Sequence, residues 1–420
     1  MHQESLENDS NVLSGKLEQT QGHPAAKHKI YAIDHRVEEA QMQLKQEGSA
    51  VLSPIQRKKT PDFESVIQSH TPIKSIMSDK VKIMITFRLE QEFVEEIKAV
   101  DPKIELLYEP SVMGFPRYQS HHVGFNGSPE QEKHWEKMLG QAEIVFGYIA
   151  PPHARNLTQI APNLKWVQSP STGIGQMVKG SGLTDSEIVF TTAGGVHTRP
   201  LAEFCITAML MYVKDVFRME REKHHKHWER YCGTELRGKT LAIISLGNTG
   251  RELARLAGCL GMRVIGTKRN TEGVNPASLG AERLYPWTDL KPMLSQADFV
   301  VLCVPHTSET TGLIGEEELA AMKRGAVLIN IARGVIIDQS AMIRALQSGR
   351  LGAAALDVTT PEPLPADSPL WDMPNVLISP HSASTVDAEN AKLIKLFCDN
   401  LRNYLEGKPL LNVLDKTLLY

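Results

Sequence analysis

The chain has 420 residues, long enough for two domains with proper cores, and its 46 basic residues nearly balance 49 acidic ones. That balance excludes a strong overall field for nucleic acid or an anionic membrane, and five cysteines scattered without a C-x-x-C pair argue against a disulfide framework or a zinc site and fit a reducing cytoplasm. No signal pattern opens the sequence, the longest nearly apolar run (204–213) is too short to cross a bilayer, and small-molecule chemistry is the default.

Residues 1–76 are rich in Gln, Glu, Ser, Lys and His, with a weak helical stripe of Val37, Ala40 and Leu44, and read as a mostly disordered extension. Order is expected from Val81, where VKIMITF makes a strand; the stripe Leu89, Phe93, Ile97 and Val100 makes a helix, and IELLY (104–108) a second strand. Ser128-Pro129 starts another helix with a cap and a first-turn proline, and AEIVFGY, LKWVQS and EIVFTT add three strands. Strands alternating with helices imply an α/β layer with a largely parallel sheet.

A long buried helix is expected from Leu201 to Met219, capped by Thr198 with Pro200 in its first turn and crossing between domains. His224, His225 and His227 follow among charged neighbours, which suits a solvated helical face rather than a metal site. Residues 239–270 then form a βαβ unit: the strand LAII, the turn SLGNTG, a helix with stripe Leu253, Ala254, Leu256, Ala257 and Leu260, and a strand from Met262. Unpaired N–H groups at Gly247, Asn248, Thr249 and Gly250 favour a pyrophosphate there. Ser245 stands where G-x-G-x-x-G has its first glycine; an ordinary βα turn also fits these residues, and the serine is tolerable if its φ stays negative. Repeated βα pairs continue to the last strand, NVLISPH, giving a doubly wound sheet of six parallel strands, and a helix over 390–403 returns to the first domain.

Arg333, Glu362 and His381 each follow a buried strand closely, at the edge where such a sheet receives its ligand. An arginine fork matches a carboxylate, a histidine moves a proton near neutral pH, and a glutamate bonded to that imidazole favours its charged form. Singly, each also suits a surface ion pair, a loop acid or a structural histidine. With a nicotinamide held by the glycine turn, together they make a hydride-transfer site.

NIARGVIID around Arg333, AALDVTTPEPLP around Glu362 and NVLISPHSAST around His381, in this order and spacing, resemble the D-2-hydroxyacid dehydrogenase family over about residues 80–415. The resemblance implies a smaller flavodoxin-like α/β substrate domain (77–194), an inserted Rossmann-type doubly wound NAD(P)-binding domain (195–383) and a final segment (384–420) returning to the substrate domain. It further implies that Arg333 holds the substrate carboxylate and carbonyl, that His381 protonates the C2 oxygen, and that Glu362 orients and charges His381. Ser171, Thr172 and Gly173 correspond to the substrate-carboxylate loop, Asp357 to the acid near the nicotinamide carboxamide, and Val304, Pro305, Ile331 and Ala332 to cofactor-lining residues. Glutamate at 362, where the formate-oxidising branch has glutamine, argues against formate.

No acid ends the second cofactor strand; Lys268 and Arg269 stand there, which suits a 2'-phosphate and predicts NADP over NAD. The expected activity is interconversion of a 2-keto acid and its D-2-hydroxy acid, of glyoxylate/hydroxypyruvate type or larger. The alternative is a dinucleotide-sensing, corepressor-like binding protein on the same fold. The resemblance also implies a homodimer, with the helix from Leu201 as the contact element. Tyr148, Trp166 and Trp371 are candidates to line the substrate pocket, and each equally suits core packing.

Overall fold

Apolar runs such as VKIMI, TLAII and AVLIN are buried along nearly their whole length, so both of their faces must be covered, the condition of a parallel sheet flanked by helices. A computed structural model describes residues 80–420; the expected extension 1–76 and its helical stripe lie outside the described residues. Among the described residues two sheets form, of five and seven strands, and every pairing in both is parallel.

The first sheet holds the five anticipated strands, β1 (Val81–Ile85), β2 (Ile104–Leu107), β3 (Ile144–Phe146), β4 (Trp166–Gln168) and β5 (Val189–Thr191), in the order β2-β1-β3-β4-β5. The helix Pro129–Gln141 begins as its sequence predicts, with Ser128 and Gln131 closing a capping box and Pro129 in the first turn. The helix Glu389–Leu405 packs on this sheet: Phe397 stacks on Phe146 with centroids 4.3 Å apart, in one core with Val94 and Ile97 of the helix Gln91–Lys98. Buried Asn400 ties it further, donating to Gln168 Oε1 at 3.0 Å and accepting from Leu411 N–H at 2.6 Å.

The second sheet comprises β6 (Thr240–Ile244), β7 (Arg263–Thr267), β8 (Arg283–Tyr285), β9 (Phe299–Leu302), β10 (Ala326–Asn330), β11 (Leu351–Leu356) and β12 (Val376–Ile378), in the order β12-β11-β10-β9-β6-β7-β8. It has seven strands where six were expected. The extra one, β8, is a three-residue edge strand whose first residue is exposed, so it carries no continuous apolar run to announce it. Strand order reverses between β6 and β9, which opens a crevice beyond their carboxyl ends.

The long helix expected over 201–219 is two helices, Thr198–Val213 and Val216–His224, with His197 rather than Thr198 at the first N-cap. The first buries Ala202, Cys205 and Met209 in one core with Leu253 and Ala257 of the helix Asn248–Cys259; the second buries nothing, so no packing holds it in line. Asp215, at φ 53°, turns the chain between them. No helix among the described residues is long and apolar enough to cross a membrane.

Candidate active site

The turn after β6 shows how the chain leaves a phosphate-sized opening. Ser245 N–H donates to Thr267 Oγ1 (3.0 Å) and Leu246 N–H to the Thr267 carbonyl (2.8 Å), so the turn is clamped to the end of β7. A Cβ on Gly250 would stand 2.3 Å from the Ser245 carbonyl oxygen, so only glycine lets the helix pack this closely on the turn. Gly247 is the N-cap of the helix Asn248–Cys259 and offers no side-chain cap, leaving the first amides to an external acceptor. That opening fits a dinucleotide pyrophosphate.

Ser245 itself departs from expectation. Its φ is +84°, in the left-handed region where a serine Cβ is strained, rather than negative. Ser245→Gly should therefore stabilise the fold by about 0.5–1 kcal/mol, the relief of left-handed strain less the greater chain entropy of glycine. Urea unfolding measures this, and a destabilised variant would show that the serine hydroxyl outweighs the strain.

At the end of β7 the corner is more crowded than its sequence suggests. Arg269 pairs with Glu309 and donates from Nη1 to the Tyr420 hydroxyl at 2.6 Å. Its guanidinium carbon lies 5.5 Å from the Tyr420 ring and 6.0 Å from that of Trp287. With Ile244, Val304 and Leu313 these residues line a cavity of about 100 Å³. Sequence reasoning missed both Glu309 and Tyr420. Glu309 follows β9 at the switch point and was findable on that ground; Tyr420 carries no local signal at all.

Across the crevice, the end of β10 carries Arg333. Buried Asn330 sets the loop, with Nδ2 donating to the Arg333 carbonyl (2.9 Å) and Oδ1 accepting from Ala332 N–H (3.0 Å). A Cβ on Gly173 would fall 1.9 Å from Arg333 Nη2, so the guanidinium lies directly on the 171–173 loop because that loop has no side chain there. Beside it, Tyr148 is 44% exposed along the cleft, yet the protein around its hydroxyl strips enough water to push the phenol up to about 12, helped by the Glu389 carboxylate and opposed by a hydrogen bond to Ser171 and the charge of Arg333. It stays a neutral hydroxyl at working pH.

His381 follows β12 at φ 54°, with its N–H donating to the carbonyls of Asp357 (2.8 Å) and Ser379 (2.9 Å). Its Nδ1 meets Glu362 Oε2 at 3.1 Å, and Glu362 Oε1 accepts from Thr359 N–H at 3.1 Å. Buried Asp357 accepts from Ser379 Oγ (2.7 Å) and Ala383 N–H (2.8 Å) through Oδ1, bracing the backbone on both sides of the histidine. One cleft of about 900 Å³ is lined by every residue given a catalytic, substrate-loop or cofactor role from the sequence except Glu362, which stands behind the imidazole.

Of the three aromatic pocket candidates, Tyr148 alone lines that cleft. Trp166 is fully buried in the first sheet, donating to Thr191 Oγ1 at 2.7 Å, and Trp371 is half-exposed with its indole N–H on the Pro365 carbonyl. The far wall is formed instead by a polar group that sequence reasoning missed. His197 Nε2 lies 3.2 Å from Glu389 Oε1, and His122 Nε2 lies 2.8 Å from Asn390 Oδ1. Burial holds His122 below the usual imidazole range, opposed by its bond to Asn390. The partners of these two pairs lie 192 and 268 positions apart, and no local pattern links them.

Residues 206–383 match the family model described as D-isomer specific 2-hydroxyacid dehydrogenase, NAD binding domain. The chain is 30% identical over 288 residues to a glyoxylate reductase of Korarchaeum cryptofilum, covering 67% of this chain and 85% of that one. It is 32% identical over 288 residues to a glyoxylate reductase of Aeropyrum pernix, with 66% and 84% covered. Among solved structures, it is similar to a D-isomer specific 2-hydroxyacid dehydrogenase from Xanthobacter autotrophicus in complex with NADPH and MES, with a TM-score of 0.65, 27% identity, and 82% of this chain and 100% of that one covered.

Proposed function

Since this chain belongs to the D-isomer-specific 2-hydroxyacid dehydrogenase family, an NAD(P)-dependent oxidoreductase family acting on CH–OH donors, we propose that it reduces a small 2-keto acid to the D-2-hydroxy acid with NADPH. The observation that carries this reading is the convergence on one cleft of the Arg333 fork and the His381–Glu362 pair, opposite the open amides of the glycine turn. Bound there, the reduced nicotinamide supplies the hydride that reaches C2 of the substrate. Arg333 binds the carboxylate and polarises the C2 carbonyl, aided by the amides of the 171–173 loop. His381 delivers a proton to the C2 oxygen. Glu362, engaged with Nδ1, keeps the other ring nitrogen for the cleft and stabilises the charged imidazole that gives up its proton. Asp357, Val304, Pro305, Ile331 and Ala332 form the wall against the nicotinamide half of the cofactor.

A substrate of glyoxylate or hydroxypyruvate type is favoured by the polar far wall of Tyr148, His122, His197 and Glu389, which suits a short hydroxylated group better than an aromatic one, and by the similarity to glyoxylate reductases. A panel of glyoxylate, hydroxypyruvate and phenylpyruvate, followed by absorbance of the reduced cofactor, tests the reading. Cofactor binding without turnover of any 2-keto acid would replace it with the sensing protein. NADPH is favoured over NADH because β7 ends at Thr267 and is followed directly by Lys268 and Arg269, with no acid at that corner. Lys268→Asp should move kcat/KM towards NADH by about tenfold or more, since it removes a phosphate partner and adds a ribose acceptor; an unchanged ratio would exclude Lys268 from cofactor choice. The chain is further proposed to form a homodimer through the region of the helices Thr198–Val213 and Val216–His224, where Leu210, Met219 and the 95% exposed Trp228 leave apolar surface open. Sedimentation velocity checks this, and a single monomeric species at micromolar concentration would rule it out.

A further inference from the structure

The segment from Asn412 to Tyr420 runs from the first sheet to the cofactor corner of the second. It is built into the first sheet rather than loosely attached: Val413 bridges Thr191 antiparallel, and Leu414 N–H donates to the Phe190 carbonyl at 2.8 Å. Lys416 Nζ donates to the Ser186 carbonyl at 2.5 Å and lies 5.6 Å from the Phe190 ring. Asp415 then folds the tip back on itself. Its Oδ1 accepts from the N–H groups of Thr417 (2.8 Å) and Leu418 (2.9 Å), and its carbonyl from Leu419 N–H (2.7 Å). The Leu419 carbonyl rests against Gly175, where a Cβ would stand 2.0 Å from the oxygen. The position of Tyr420 is thus set by the substrate side of the cleft, while its hydroxyl receives Arg269 Nη1 on the cofactor side.

We propose that Tyr420 is a positioning residue for cofactor choice: its hydroxyl and ring hold the Arg269 guanidinium at the ribose corner so that the remaining N–H groups face a 2'-phosphate. Glu309 also holds Arg269, but a carboxylate cancels the charge that a phosphate needs. The phenol fixes the same fork without opposing its charge, and the Tyr420 and Trp287 rings restrict its plane. A 2'-hydroxyl gains far less from an aligned guanidinium than a dianionic phosphate does. The effect therefore falls on selectivity rather than on adenosine binding in general.

This inference rests on the NADPH reading, and calorimetric titration of the full chain with adenosine 2',5'-bisphosphate and with 5'-AMP separates the two. The unaltered chain is expected to prefer the bisphosphate. Tyr420→Phe, which keeps the ring, should weaken the bisphosphate by about fivefold, the scale of one net hydrogen bond, and Tyr420→Ala by about tenfold or more, with 5'-AMP binding unchanged in both. If the unaltered chain shows no preference, the NADPH reading falls and the inference with it. If it prefers the bisphosphate and the Tyr420→Phe variant keeps that preference, or loses affinity for both ligands by the same factor, the inference alone is overturned. The phenylalanine variant decides the matter even if the alanine variant fails to fold.

Discussion

A His381→Asn variant should bind reduced cofactor normally and reduce 2-keto acids about a thousandfold more slowly, the scale of a lost general acid. Asparagine is the informative replacement because residue 381 sits at φ 54°, a left-handed conformation that asparagine tolerates better than most side chains. The two backbone bonds that hold this residue, to the Asp357 and Ser379 carbonyls, do not depend on its side chain and should survive. What disappears is the proton. Glu362→Gln should cost less, about a hundredfold, because the imidazole remains while the carboxylate that orients Nδ1 and supports its charge is gone. Single-turnover rates with prebound cofactor measure both effects. Rates for His381→Asn within tenfold of the unaltered chain would remove His381 from proton delivery.

The second large effect is expected at Arg333. Arg333→Lys keeps the charge but loses the planar fork, and kcat/KM for a 2-keto acid should fall by about three orders of magnitude, while the dissociation constant for the cofactor stays the same. A companion change reaches the same guanidinium from outside. In Gly173→Ala the new methyl would lie 1.9 Å from Arg333 Nη2, so the fork must move away from the 171–173 loop. A displacement on the ångström scale costs about a hundredfold in rate at a site that works by positioning. Near-normal kcat/KM in both variants would mean that the substrate carboxylate binds elsewhere in the cleft.

Several of these residues are legible in the amino-acid sequence alone. Arg333, Glu362 and His381 stand out because each follows an apolar strand, β10, β11 or β12, and a parallel sheet delivers the ends of all its strands to one edge. The glycine turn is visible for the same local reason, as a strand, a turn and a helix in direct succession. Its conformation is not: the sign of φ at Ser245 is set by the clamp between the turn and Thr267, which lies 22 positions away. The break at Asp215 is hidden because apolar residues continue past it, and only the absence of a packing partner shows where the first helix must stop. Strand β8 escapes for the opposite reason, having packing partners but too little apolar run. Trp166 and Trp371 mislead because size and aromaticity do not say which core a side chain enters.

The α/β alternation, the two parallel sheets and the family are all readable along the chain, because each follows from the period of apolar residues in a short segment or from motifs taken in order. What closes the cleft is settled only by packing. The far wall pairs His197 with Glu389 and His122 with Asn390, and the cofactor corner joins Arg269 to Glu309 and Tyr420. Arg269 meets Glu309 because β7 and β9 end at the same edge of the second sheet, and the other contacts are made by the return of the final helix and tail to the first sheet. Local propensity carries no record of such meetings, since each side chain would satisfy its own segment equally well facing water, and only the packing of one sheet beside the other selects its partner.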